Sequence, residues 1–205
     1  MCGITGKIYF GNNTVTNQDI LAMNKKIQHR GPDDGGFYIS PDQKVGLGHR
    51  RLSIIDLSPL GHQPMSYLER YWIVFNGEIY NFQEKRELLK KEGYKFKSKT
   101  DTEVILALYD KFGKKCLEHL RGMFSFAIYD EKEKTCFCAR DRVGKKPFKY
   151  YLDDNVFMFA SELKAILTQK EYKKEPDYIA IHHYLTLEYC PAPLTGFKDL
   201  KKLEP

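Results

Sequence analysis

Two hairpin signals late in the chain restrict its fold more than any other feature. The β-rich runs Met123 to Tyr129 and Thr135 to Arg140 flank a short charged turn. Lys149 to Leu152 and Val156 to Ala160 flank Asp153-Asp154-Asn155. Turns this short join antiparallel neighbours, because a parallel pair needs a crossover of a dozen residues or more. Further strands are expected at Ile4 to Phe10, at Phe37 to Ser40 and Val45 to Leu52 around a Pro41-Asp42 turn, and at the apolar run Tyr71 to Phe75. A short strand is expected at Lys95 to Lys97. The reading is an α+β chain of antiparallel sheets with helices packed outside.

Helix signals fall between the strands. Thr16 with Asp19 forms a capping-box pattern ahead of Ile20, Met23 and Ile27, and breakers from Arg30 to Gly36 end that helix. Asn81 with Glu84 opens a helix bearing Leu88 and Leu89 and closed by Gly93. Thr100-Asp101-Thr102-Glu103 starts another through Ile105, Leu108 and Tyr109, ended at Gly113. Later helices are expected from Ser161 and from Tyr178 to Leu185. The tail from Pro191 reads as extended.

Composition narrows the function classes. Net charge is +6, but the basic residues come as scattered pairs such as Lys90-Lys91 and Lys145-Lys146, a solvated surface rather than a nucleic-acid groove. Apolar stretches fall far short of the ~20 residues of a membrane span. Five cysteines, an odd number, with no secretory leader, imply a reducing, cytoplasmic setting. Cys136 and Cys138 share one strand face, yet no second Cys/His pair stands at zinc-ligand spacing, so no metal is expected.

Four places carry chemistry in excess of structural need. Removal of Met1 would leave Cys2 as the amino terminus, with a thiol of pKa ~8.5 and an α-amine of pKa ~7.7–8.0 able to take its proton. The alternative is a frayed end with an incidental thiol. In Gly48-His49-Arg50-Arg51-Leu52-Ser53-Ile54-Ile55, an arginine at the strand end can fork onto a small-molecule carboxylate or serve as a surface charge. Asn76-Gly77 offers two donors to a developing oxyanion, or is a type I′ turn. Asp101 is an N-cap or a counter-charge for an ammonium. Together the groups match acyl transfer on a free amino acid bearing a side-chain amide, as glutamine does.

The motifs then point to a family. Cys2-Gly3-Ile4-x-Gly6, Arg30-Gly31-Pro32-Asp33 and His49-x-Arg51-Leu52-Ser53-Ile54 resemble those of class II glutamine amidotransferases. Phe75-Asn76-Gly77-Glu78-Ile79-Tyr80-Asn81, Asp101-x-Glu103-Val104-Ile105 and Gly122 to Ala127 look most like the glutamine-hydrolysing asparagine synthetase branch. Arg140-Asp141-Arg142-x-Gly144-x-Lys146-Pro147 and Ala160 to Ala165 extend the match over essentially the whole chain, although Lys145 and Phe148 replace the usual Ile and Leu.

The resemblance implies an N-terminal-nucleophile hydrolase fold, a four-layer αββα sandwich. It makes Cys2 nucleophile and amine base, and Asn76 and Gly77 the oxyanion donors. Arg51 with backbone at Leu52, Ser53, Ile54 and Ile55 would hold the glutamine carboxylate, and Asp101 with Glu78 the α-ammonium. L-Glutamine would be hydrolysed through a γ-glutamyl thioester without metal or cofactor. Residues 1–190 would form this domain and 191–205 the start of a linker to a C-terminal synthetase domain, which uses ATP and Mg to activate aspartate. A homodimer is compatible with the family. Other readings are a silent glutamine-binding module, an amidotransferase for another carboxylate, and a hydrolase of some other amide.

Overall fold

A computed structural model describes residues 1–205. Ten strands form two antiparallel sheets. The first holds β1 (Gly3–Tyr9), β2 (Asp34–Ile39), β3 (Val45–Arg51), β8 (Lys149–Leu152), β9 (Val156–Ala160) and β10 (Leu200–Lys202), in the order β10-β8-β9-β1-β3-β2. The second holds β4 (Met65–Tyr67), β5 (Tyr71–Ile79), β6 (Gly122–Asp130) and β7 (Thr135–Arg140), in sequence order.

Strand alternation explains the layers. On β5, Ile73 and Phe75 face one way and Val74 the other; on β6, Phe126 and Ile128 oppose Ala127 and Tyr129. Side chains at period 2 alternate faces, so each sheet has two apolar surfaces to cover. Val74, Ala127 and Tyr129 meet Ile4, Leu47 and Phe159 between the sheets. Helices α2 (Phe82–Lys91) and α3 (Asp101–Phe112) cover the outer face of the second sheet, with Val104 and Ile105 against its core. Helix α1 (Asn17–Lys26), held by the expected Thr16–Asp19 capping box, and the short α4 (Leu163–Ile166) cover the first through Ile20, Met23 and Ile166. The four-layer αββα arrangement is the one expected. Helix α5 (Tyr178–Leu187) follows, and no helix is long and apolar enough to cross a membrane.

The structure corrects four local expectations and adds one strand. Asn76-Gly77 is no hairpin turn: β5 runs on to Ile79, because β6 pairs with it throughout, Asn76 opposite Ser125 and Gly77 opposite Phe124. A three-residue strand, β4, precedes β5 across a turn whose Leu68 and Glu69 both have left-handed φ. Lys95 to Lys97 forms no strand; the Lys97 and Ser98 N–H groups donate instead to the Glu103 carboxylate, each at 2.8 Å. The Asn81 side chain caps no helix N–H but bridges the Arg121 N–H and the His119 carbonyl, both at 3.0 Å. Within the tail expected as linker, Leu200–Lys202 is built into the first sheet as β10, paired with β8.

Candidate active site

Cys2 lies just before β1, and the register Gly3 opposite Arg50 sets it beside the end of β3. Its thiol stands 3.6 Å from the Leu52 carbonyl, and the Leu52 N–H points at the sulfur from 3.4 Å. The Cys2 carbonyl accepts from Arg30 Nε at 2.9 Å, and Glu162 grips the same guanidinium at 3.1 Å. The Ile4 N–H donates to Ser161 Oγ at 3.0 Å. A Cβ at Gly3 would lie 2.7 Å from Ile27 Cδ1, so that side chain would have to shift to admit one. Burial pushes the Cys2 thiol above its ordinary pKa, opposed by the Leu52 N–H, the terminal ammonium and Arg51. A thiol so placed rests protonated and needs a base to become the nucleophile.

Cys2 opens onto a cavity of about 150 Å³. Arg51, Leu52, Ile54 and Ile55 line it on the side of the first sheet. Asn76, Gly77 and Glu78 of β5, with Asp101, line it on the other. Eight of the nine residues expected to contact substrate or intermediate beside Cys2 therefore converge. Ser53 does not line the cavity; its N–H donates to the Asp33 carboxylate at 2.8 Å.

The donors differ in how far they are engaged. The Arg51 guanidinium, 6% exposed, donates to the carbonyls of Ser58 at 3.2 Å, Ile55 at 3.4 Å and Asp56. A guanidinium carries five N–H donors, so Nε and one Nη1 hydrogen remain for a ligand. Gly61 makes room for this arrangement, since a Cβ there would lie 2.0 Å from Arg51 Nη2. Asn76, in contrast, is 1% exposed and its Nδ2 has no hydrogen-bond partner. A buried amide left unpaired costs about 1–3 kcal/mol and calls for an explanation.

The Gly77 N–H is free for a reason of register. Phe124, opposite Gly77, uses its N–H and C=O on Asp141, at 3.2 and 2.8 Å. Gly77–Phe124 is thus a non-hydrogen-bonded pair, and the Gly77 peptide groups face the other edge of β5. On that edge β4 reaches only as far as Ile73. The Gly77 N–H and Asn76 Nδ2 are the idle donors on the second sheet's side of the cavity.

Asp101 is the first residue of α3 and is 4% exposed. Burial pushes its carboxyl up to about 6, against the lowering effect of N–H groups from Ile79 (2.9 Å), Asp101 and Thr102; the Glu78 charge raises it further. It is mostly ionised at neutral pH, in a site where a cation would be welcome.

Sequence reasoning missed Gln63, Thr102, Met123 and Lys146, which also line the cavity. Lys146 is 6% exposed, and burial, then Arg30, lower its pKa, against Cys2, Asp141 and Glu78. Its Nζ stands 3.3 Å from Met1 Sδ, so the Met1 side chain sits at this cavity. Nothing in the pair Lys145-Lys146 marks the second lysine as the buried one. No group of three His, Cys, Asp or Glu residues could hold a metal; Cys136 and Cys138 lie 3.8 Å apart with no third ligand.

Known proteins resemble this chain over its whole length. A protein of Methanocaldococcus jannaschii is 45% identical over 223 residues, spanning 100% of this chain and 42% of that protein. Glutamine-hydrolyzing asparagine synthetase 1 of Bacillus subtilis is 41% identical over 100% of this chain and 32% of its own length. This chain thus spans well under half of either relative. Among solved structures, glutamine phosphoribosylpyrophosphate amidotransferase from B. subtilis superposes with a TM-score of 0.68 at 22% identity, over 80% of this chain and 43% of that one, a likeness of fold. The model of the glutamine amidotransferase domain matches residues 1–205, and the chain belongs to that family.

Proposed function

We propose that this chain is the glutamine-hydrolysing part of an asparagine-forming synthetase. Asn76 carries the reading: a buried amide with an unpartnered Nδ2, in the wall of the cavity that holds Cys2. Such a donor, with the Gly77 N–H, fits the oxygen of a tetrahedral intermediate, where preorganised donors act most strongly.

Once Met1 is removed, the Cys2 α-amine takes the thiol proton as sulfur attacks the γ-amide carbon of glutamine. The amide oxygen takes up the negative charge beside Asn76 and Gly77. The proton passes to the amide nitrogen, the C–N bond breaks, ammonia leaves and a γ-glutamyl thioester remains on Cys2. Water, deprotonated by the same amine, adds to the thioester and releases glutamate and the thiol. Arg51 and the backbone of 52–55 bind the substrate α-carboxylate; Asp101, assisted by Glu78, binds the α-ammonium. None of these steps uses a metal or cofactor.

The greater length of the relatives supports a further part of the protein, in which ATP and Mg would activate aspartate to receive the ammonia. A cytoplasmic location accords with five free cysteines. The test is release of glutamate and ammonia from glutamine by protein whose intact mass shows Met1 absent. Turnover supports the reading. No turnover by such protein, with Cys2 unmodified, would overturn it in favour of a silent glutamine-binding module.

A further inference from the structure

We infer that His49 and Gln63 are positioning residues for the oxyanion donors, together holding the Phe75 peptide where the second sheet has no strand to hold it. The inference rests on the roles proposed above for Asn76 and Gly77. Phe75 immediately precedes them, and like Gly77 it presents its N–H and C=O to the edge of β5 that β4 leaves bare. Both groups are buried and need partners. The Phe75 N–H donates to Gln63 Oε1 at 2.7 Å, and His49 Nε2 lies 3.0 Å from the Phe75 carbonyl oxygen.

A carbonyl only accepts, so His49 must be the Nε2–H tautomer, with a bare Nδ1. That Nδ1 is buried without a partner. Burial brings the His49 pKa down to about 4, so the ring is neutral in the working range and is committed to Phe75. It is therefore no base for Cys2, although it neighbours Arg51 on β3 and pairs with Ile4.

His49 belongs to the first sheet and Phe75 to the second. Their bond ties the strand beside the nucleophile to the strand of the oxyanion donors. Gln63 completes the hold from the loop before β4 and stands 3.4 Å from Thr102 Oγ1, beside Asp101. A neighbouring strand would satisfy Phe75 equally well but would cover the Gly77 N–H. Two side chains satisfy the one peptide and leave the next donor open.

The test uses Met1-free protein with His49→Leu, His49→Gln and Gln63→Leu. Three quantities are read: kcat and KM for glutamine, affinity for glutamate γ-semialdehyde, and amide exchange across 71–79. The aldehyde adds the thiol across its C=O and places the resulting oxygen at the donors. His49→Leu should lower kcat about 10- to 100-fold with KM within about twofold, and weaken the aldehyde by a similar factor. Exchange should quicken at 75–79 and not at 71–74. His49→Gln, which retains a donor, should recover most of the loss, and Gln63→Leu should reproduce the pattern more mildly.

Unchanged kcat and exchange would overturn the inference, as would equal losses in kcat, glutamine affinity and aldehyde affinity. If His49→Leu does not fold, Gln63→Leu and His49→Gln give the same readings. Wild-type protein that does not hydrolyse glutamine would sink the glutaminase reading, while the exchange pattern would still decide whether His49 holds β5.

Discussion

The two sheets meet at one cavity with opposite kinds of chemistry. On the first, Cys2 exchanges contacts with Leu52 in both directions, and Arg51 is tied to three carbonyls of its own loop. On the second, Asn76 Nδ2 and the Gly77 N–H have nothing to bond, and Asp101 is a buried carboxylate with no cation beside it. The first side is largely engaged by its own loop, with Arg51 Nε and one Nη1 hydrogen left for a ligand; the second is held at a disadvantage until a ligand arrives. Residues that act on a transition state are often those that the resting fold leaves unsatisfied. Activity and stability should therefore respond differently to changes on the two sides.

The largest effect belongs to the first side. Cys2→Ala should abolish hydrolysis, a fall of at least about 10⁴-fold, while glutamine still binds, measured by calorimetry beside an ammonia-release assay. Asn76→Ala should lower kcat by about 10²–10³-fold with little change in KM. Because it removes an unpaired buried amide, it should leave the thermal midpoint within a few degrees of wild type, read by calorimetric scanning.

Asp101→Asn should raise KM for glutamine by roughly 10-fold or more, with a smaller change in kcat. In wild type, KM should climb as pH falls below about 6, where Asp101 takes up a proton. The stability sign is the reverse. The Asp101 pKa is raised on folding, so its carboxyl favours the folded state at low pH and that benefit is lost as pH rises through about 6. Asp101→Asn should then melt higher than wild type at pH 7.5. If it melts lower, the difference drawn between the sheets fails for this residue.

The smallest effect is expected where the first sheet is braced from outside. Glu162 holds Arg30, which holds the Cys2 carbonyl; burial raises its pKa, but hydrogen bonds from Lys164, Arg30 and His29 bring it down to about 2. The pair is partly exposed, so Glu162→Gln should cost under about 1 kcal/mol and less than about tenfold in kcat.

What could be read in the chain followed from how local each signal was. The β6–β7 and β8–β9 hairpins and the Thr16 capping box lie within a few residues, and the structure bears them out. Cys2, Arg51 and Asp101 each had an ordinary structural reading and stood out only together and through family-like motifs; the structure brings them to one cavity. Asn76-Gly77 was legible as a pair of donors but not as strand interior, because a favourable turn sequence was overridden by pairing with β6, more than forty residues away. The same distance hid β10, whose partner strand lies about fifty residues earlier. Gln63, His49 in its positioning role, and Lys146 acquire meaning only from burial, which no neighbouring residue announces. Nor could the chain reveal that Arg51 would be occupied by its own loop carbonyls.

One measurement bears most directly on the claim that the two sheets assemble a thiol nucleophile and its oxyanion donors. Met1-free protein is mixed with glutamine, quenched in acid within the first turnovers, and its N-terminal peptide weighed. The account predicts a γ-glutamyl group on Cys2, sensitive to hydroxylamine, formed in wild type and strongly reduced in Asn76→Ala. Ammonia release at the wild-type rate with no adduct, or with Cys2 replaced by alanine, would contradict it.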